Sequence, residues 1–222
     1  MTKIAIMQPY FIPYPGYFRL MQAADVFVIY DCVQFPRRGY VHRNQLIDFN
    51  DNKQWLNMPL NKMHRSAKIN QMSFTIDAKN EFFRQIKKFP IYQKLIEDEQ
   101  LYQYLFNFEQ SPLTYITSLL EYFCVSLNIK TDFINSSSLD IDKTLKSEDR
   151  ILAIVKYLNG TSYINSPNGR NLYHKKRFSK ENIQLSFLND YEGDLISVLS
   201  PFLTGDRNLL SNKIKGQVDI IV

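Results

Sequence analysis

Arg37, Arg38, His42, Arg43 and Asn44 fall close together, and no carboxylate occurs between Cys32 and Ile47. A guanidinium presents a planar fork of donors that pairs bidentately with phosphate or carboxylate. The run therefore has two readings: an anion site, for a nucleotide diphosphate or a carboxylate, or a solvated basic loop. Just upstream, Asp31 closes an apolar run, and Gln34 follows three positions later. That carboxylate either orients a ligand hydroxyl and takes a proton, or accepts N–H bonds in a turn. Asp31, His42 and His64 are the candidate acid–base groups, since an imidazole titrates near neutral pH. A lone loop histidine, His174 included, more often serves packing or solvation.

Two further clusters carry donors and aromatic faces. The first holds Gln8, Tyr10, Tyr14, Gly16 and Tyr17, threaded through Pro9, Pro13 and Pro15. Each proline fixes φ and stiffens the segment. The second holds Asn165, Gly169, Arg170 and Tyr173. Gly169 is free to take a positive φ and let backbone approach a ligand, although Pro167-Asn168-Gly169 also makes a plain turn.

The elements that must position these clusters follow from the apolar pattern. The run over 4–8 suits a buried strand, 17–24 has helical spacing, and 26–30 is a second apolar strand. Strand, helix and strand imply a parallel pair with a right-handed crossover. The stretch 32–52 reads as irregular, and 53–60 and 71–76 as strands. Three helices are expected over 78–89, 91–106 and 112–127, the last opened by Ser111-Pro112. A strand near 131–134, a helix over 147–158 capped by Ser147 and stopped by Gly160, and strands near 163–164 and 182–187 complete the reading. The fold class is α/β: a Rossmann-like, parallel-core sheet with helices on both faces and a helical insertion. Residues 1–222 read as one domain with the segment 78–127 as a subregion. Ligands of such sheets collect beyond the carboxyl ends of the strands, where all three clusters fall.

Bulk properties narrow the class. Net charge is +5, too mild for a nucleic-acid sheath. Cys32 and Cys124 make neither a metal-ligand spacing nor a disulfide framework, so no metal and no cofactor are expected, in a reducing, cytoplasmic setting. No stretch approaches the length of a membrane span. The 16 Phe and 14 Tyr suit a large core or a tyrosine-lined pocket. There is no glycine-rich phosphate loop and no nucleophile elbow.

From Met7 to Leu20 (MQPYFIPYPGYFRL) the chain resembles the WbqC-like family. The resemblance continues through Ala24 to Asp31, Val33 to Phe35, Arg37 to Gly39 and His42 to Asn44. It resumes around Trp55 and Pro59, and at Tyr163 to Tyr173. It implies a role in bacterial surface polysaccharide (O-antigen, lipopolysaccharide) biosynthesis, with a glycine transferase activity suggested. The turn Tyr14-Pro-Gly-Tyr17 is also similar to the H-x-G-H turn of nucleotidylyltransferases and pantothenate synthetase, with tyrosines in place of both histidines.

Two functions follow as expectations. One is a transferase acting on a nucleotide-linked amino sugar: the basic loop holds pyrophosphate, Tyr10, Tyr14 and Tyr17 pack on base or sugar, and Asp31 or a loop histidine takes the amine's proton. Gln8, Asn44 and backbone N–H groups near Gly16 would then face the developing oxyanion. The other is a non-catalytic module binding a nucleotide-sugar or a partner enzyme. A degenerate nucleotidylyltransferase-like enzyme is a third possibility. The oligomeric state is left open.

Overall fold

The computed structural model describes residues 2–221. The strands are β1 Lys3–Met7, β2 Val26–Ile29, β3 Arg43–Ile47, β4 Lys53–Asn57, β5 Asp132–Asn135, β6 Ser162–Asn165, β7 Gln184–Leu188 and β8 Ile220–Ile221. The helices are α1 Phe18–Ala23, α2 Ala78–Ile86, α3 Ile91–Leu95, α4 Glu99–Leu105, α5 Pro112–Ser126, α6 Ser147–Tyr157, α7 Lys175–Lys180, α8 Leu199–Thr204 and α9 Arg207–Gly216.

Six strands form one sheet in the order β5-β2-β1-β6-β7-β8. Its pairings are parallel except for β7 with β8. Alternate residues of a strand face opposite sides. Ala5, Phe27 and Ile29 enter one core with Leu20 and Met21 of α1, Leu119 of α5 and Leu210 of α9. Ile4, Ile6 and Val28 enter the other with Ile151 and Val155 of α6 and Phe178 of α7. Both faces are thus covered, which explains why these strands read as continuous apolar runs. The architecture is α/β and Rossmann-like. The chain builds outward from β1 in both directions, so the β1–β6 junction is its topological switch point. Among the described residues no helix is long and apolar enough to cross a membrane.

Several expectations are corrected. The irregular stretch 32–52 contains β3, which pairs antiparallel with β4 as a separate hairpin. Its inward positions are Asn44 and Leu46, and the polar residue at the first of them hides the alternation. The strand over 71–76 does not form: a 3-10 turn at Ile69–Gln71 and a single bridge from Leu60 to Phe74 stand there. The helix over 91–106 breaks into α3 and α4, because the Asp98 carboxylate accepts from Leu101 N at 3.1 Å and starts a new helix. The helix α5 opens as expected, with Ser111 Oγ accepting from Thr114 N at 3.1 Å. Ser147 does not cap α6; it begins the helix, at φ 47°. Asn159, at φ 53°, stops that helix rather than Gly160. Gly160 is needed for packing instead, since a Cβ there would lie 2.6 Å from Ile4 Cγ1. Gly169 is not in the left-handed region either.

One buried residue, Ile12, has φ 36°, an outlier for a β-branched side chain. Its carbonyl accepts from Asn44 Nδ2 at 2.8 Å and from Ser197 Oγ at 2.8 Å. Those two bonds hold the loop that leaves β1 in its shape.

Candidate functional site

At the switch point the loops after β1, β6 and β7 part around a cleft of about 490 Å³. The first wall carries Gln8, Tyr10, Tyr14, Gly16 and Tyr17, and Arg19 of α1 lies behind it. The second carries Asn165, Asn168, Gly169 and Tyr173; the third carries Leu188, Asp190 and Tyr191. Tyr191 is shared with a neighbouring cavity of about 450 Å³, lined chiefly by apolar residues such as Ile196, Pro201, Leu210 and Ile214. That second cavity lies against α8 and α9 and takes only Pro15 from the three strand-end clusters.

The first wall is cross-braced by its own side chains. Tyr17 donates its hydroxyl to Gln8 O at 2.7 Å and stacks on Tyr10 with ring centroids 5.0 Å apart. Tyr10 also packs on Tyr40 at 5.5 Å, and Tyr14 on Tyr191 at 5.4 Å. Gly16 sits where those last two rings converge: a Cβ would lie 2.5 Å from both Tyr14 Cε2 and Tyr191 Cγ. In the second wall, a Cβ on Gly169 would lie 2.5 Å from Asn165 Nδ2, so glycine is required for close approach rather than for φ. Burial raises the phenol pKa of Tyr10, Tyr14 and Tyr17, and pushes that of Tyr30 up to about 12. All four are therefore protonated phenols at neutral pH and not bases; Tyr17 spends its hydroxyl proton on Gln8 O, while Tyr10 and Tyr14 can donate to a ligand.

The structure brings together Gln8, Tyr10, Tyr14, Gly16, Tyr17, Asn165, Gly169 and Tyr173. Arg170 stands beside them, donating to Leu188 O at 3.2 Å, with its Nη1 3.9 Å from the Asp190 carboxylate. The other candidates are elsewhere. Asp31 is fully buried and accepts from Ser136 Oγ at 2.8 Å and Ser137 N at 2.9 Å, which ties the end of β2 to the turn after β5. Asn44, also buried, donates to Phe11 O and Ile12 O and accepts from Gln45 N. Gln34 donates to Arg65 O and Arg37 to Met63 O, bracing one exposed loop against another. Arg38 is exposed, and the Arg43 guanidinium lies 4.1 Å over the Trp55 ring. His64 is exposed, with Nδ1 2.7 Å from Ser66 Oγ.

His42 packs on Phe35 at 5.0 Å, and its buried Nδ1 has no partner among the described residues. Burial, helped by the Arg43 charge, lowers its pKa to about 4. The imidazole is then neutral at physiological pH. Between the ordinary value near 6.5 and 4, the unfolded chain holds a proton that the folded chain does not. His42 should therefore remove stability as pH falls through that window and none above it. In a proton NMR titration its ring resonances should stay constant from neutral pH down to about 5. A midpoint near the ordinary value would contradict this placement.

Arg19, Asp190, Tyr191 and Tyr30 line the cleft but escaped the sequence reading. The first had a signal: it is the one cation in the apolar spacing over 17–24. Asp190 and Tyr191 lie in a polar stretch with no periodicity to place them. Among the described residues, no group of three or more His, Cys, Asp or Glu side chains is arranged to hold a metal.

The family model described as the WbqC-like protein family matches residues 8–193, a span that includes all three cleft walls. The uncharacterized protein Rv1507c of Mycobacterium tuberculosis is 26% identical over 210 residues, covering 87% of this chain and 84% of its own length. No solved structure matches the chain significantly.

Proposed function

The chain belongs to the WbqC-like protein family, and from that premise we propose that it is a transferase of bacterial surface polysaccharide biosynthesis acting on an amino sugar carried on a nucleotide. One observation carries the reading: a tyrosine-walled cleft opens at the β1–β6 switch point, where Rossmann-like sheets take nucleotides. The faces of Tyr10 and Tyr14 suit a base or sugar ring, and their protonated hydroxyls suit its oxygens. In an acyl or glycyl-type transfer, the sugar's amine nitrogen bonds to the carbonyl carbon of an activated acyl donor, and the donor's leaving group departs. The amine must also lose a proton. Asp190 is the carboxylate in the described lining, and the Gln8 amide is within the same cleft to face the oxyanion.

The second reading, a binding module without catalysis, is favoured by the acid–base groups. Asp31, His42 and His64 do not line the cleft, and the Asp190 side chain is 84% exposed. One experiment separates the two. The protein is incubated with a uridine-diphosphate amino sugar and glycyl or acetyl donors, and products are followed by mass spectrometry alongside calorimetric binding. For the transferase, Asp190→Asn should lower turnover by about 10²–10⁴-fold while binding is kept. Binding of the sugar nucleotide without product by the unmodified protein would favour the module, and absence of binding would reject both.

A further inference from the structure

Arg19 is 1% exposed, yet it lines the cleft. Its Nε donates to Gln217 O at 2.8 Å, and its Nη2 donates to Asn189 O at 2.9 Å and to Asn189 Oδ1. All three acceptors are neutral carbonyl-type oxygens. Among the described residues, no carboxylate forms an ion pair with Arg19; Asp190 of the cleft wall acts on it only from beyond ion-pair distance and lies 3.9 Å from Arg170. A buried guanidinium without an ion-pair partner is costly, and such groups are normally paired. Among the described residues three of its five N–H donors are used, which leaves the two on Nη1 without a partner there. The Tyr191 ring lies 5.7 Å from the guanidinium carbon, and Tyr14 lines the same cleft. Burial lowers the guanidinium pKa against the opposing pull of Tyr14, Tyr191 and the Asp190 carboxylate, and an arginine stays charged at neutral pH.

We propose that Arg19 is the anion anchor of the cleft, its free Nη1 taking the diphosphate of the ligand. This rests on the nucleotide-sugar reading above and moves phosphate recognition from the exposed Arg37–Arg38 loop to the floor of the switch-point cleft. The exposed loop lacks an enclosing wall: Arg37 and Arg38 are spent on its own bracing or lie in solvent. Arg19 is instead preorganised by three bonds, so it loses little side-chain entropy on meeting a phosphate oxygen. The competing account is that Arg19 only bolts residues 189 and 217 to α1.

The test uses inorganic pyrophosphate, uridine diphosphate and glycine as probes. In the unmodified protein the Arg19 Nε–H, shielded by its bond to Gln217, should give a slowly exchanging NMR signal. Pyrophosphate and uridine diphosphate should shift that signal saturably. By calorimetry, Arg19→Lys should weaken both by about tenfold or more, since the fork is lost though the charge is kept. The double variant Arg37→Gln/Arg38→Gln should stay within about twofold, because exposed charges contribute little. An unmoved Nε signal at saturating pyrophosphate would overturn the proposal whether or not the Lys variant folds. So would a loss confined to the double variant, or a response to glycine alone. If pyrophosphate moves the signal but sugar nucleotides do not bind, the anchor stands and the nucleotide-sugar reading falls.

Discussion

Asp31→Ala should lower the unfolding free energy by about 3 kcal/mol, the upper range for hydrogen bonds to a buried charged group. For a chain of this size that is a fall of roughly 6–12 °C in melting temperature. The cause is that Ser136 and Ser137 lose the buried carboxylate that holds the turn after β5 against the end of β2. The Ser137 N–H is left without its acceptor. Chemical denaturation at constant slope would show the loss as a shifted midpoint. Binding of a uridine-diphosphate sugar, measured well below the new melting temperature, should be retained. The opposite pattern, unchanged stability with lost turnover, would return Asp31 to the chemistry.

Gly16→Val should act in the reverse sense, on binding more than on the fold. A branched side chain at residue 16 must push Tyr14 and Tyr191 apart, because even a Cβ lies 2.5 Å from each. Overpacking of this kind costs about 1–3 kcal/mol. Here the yielding atoms are two rings on the cleft wall, so the displacement is delivered to the ligand's place. Affinity for the sugar nucleotide should fall by roughly 5- to 150-fold, the same energy expressed as a ratio of dissociation constants. Calorimetric titration measures it. A variant that binds normally would mean that the ligand does not use the Tyr14–Tyr191 side of the cleft.

The parallel core was legible because its strands are covered on both faces and therefore read as unbroken apolar runs. Two walls of the cleft were legible for a topological reason. Loops that follow parallel strands must leave from one edge, which places Gln8 to Tyr17 opposite Asn165 to Tyr173. The third wall was not, because Asp190 and Tyr191 reach the cleft through the fold of a stretch that carries no pattern. The basic run was misleading in the other direction. Arg43 rests on Trp55 and Asn44 points inward under the loop after β1, so residues adjacent in sequence are divided between a hairpin's outer and inner faces. Arg19 was visible only as a cation out of place in an apolar spacing, and nothing local tells that its acceptors lie at residues 189 and 217.

The left-handed backbone at Ile12 has a kinetic consequence. A non-glycine residue held there costs about 1–3 kcal/mol, returned only when Asn44 and Ser197 have both reached its carbonyl. The second of these contacts closes a sequence separation of 185 residues, and such long-range closures slow folding. The inner strands of the sheet have no need to wait for it. During refolding, far-UV ellipticity should therefore recover first. Quenching of tyrosine emission by a bound sugar nucleotide should return in a later, slower phase, and Ile12→Gly should shorten that delay.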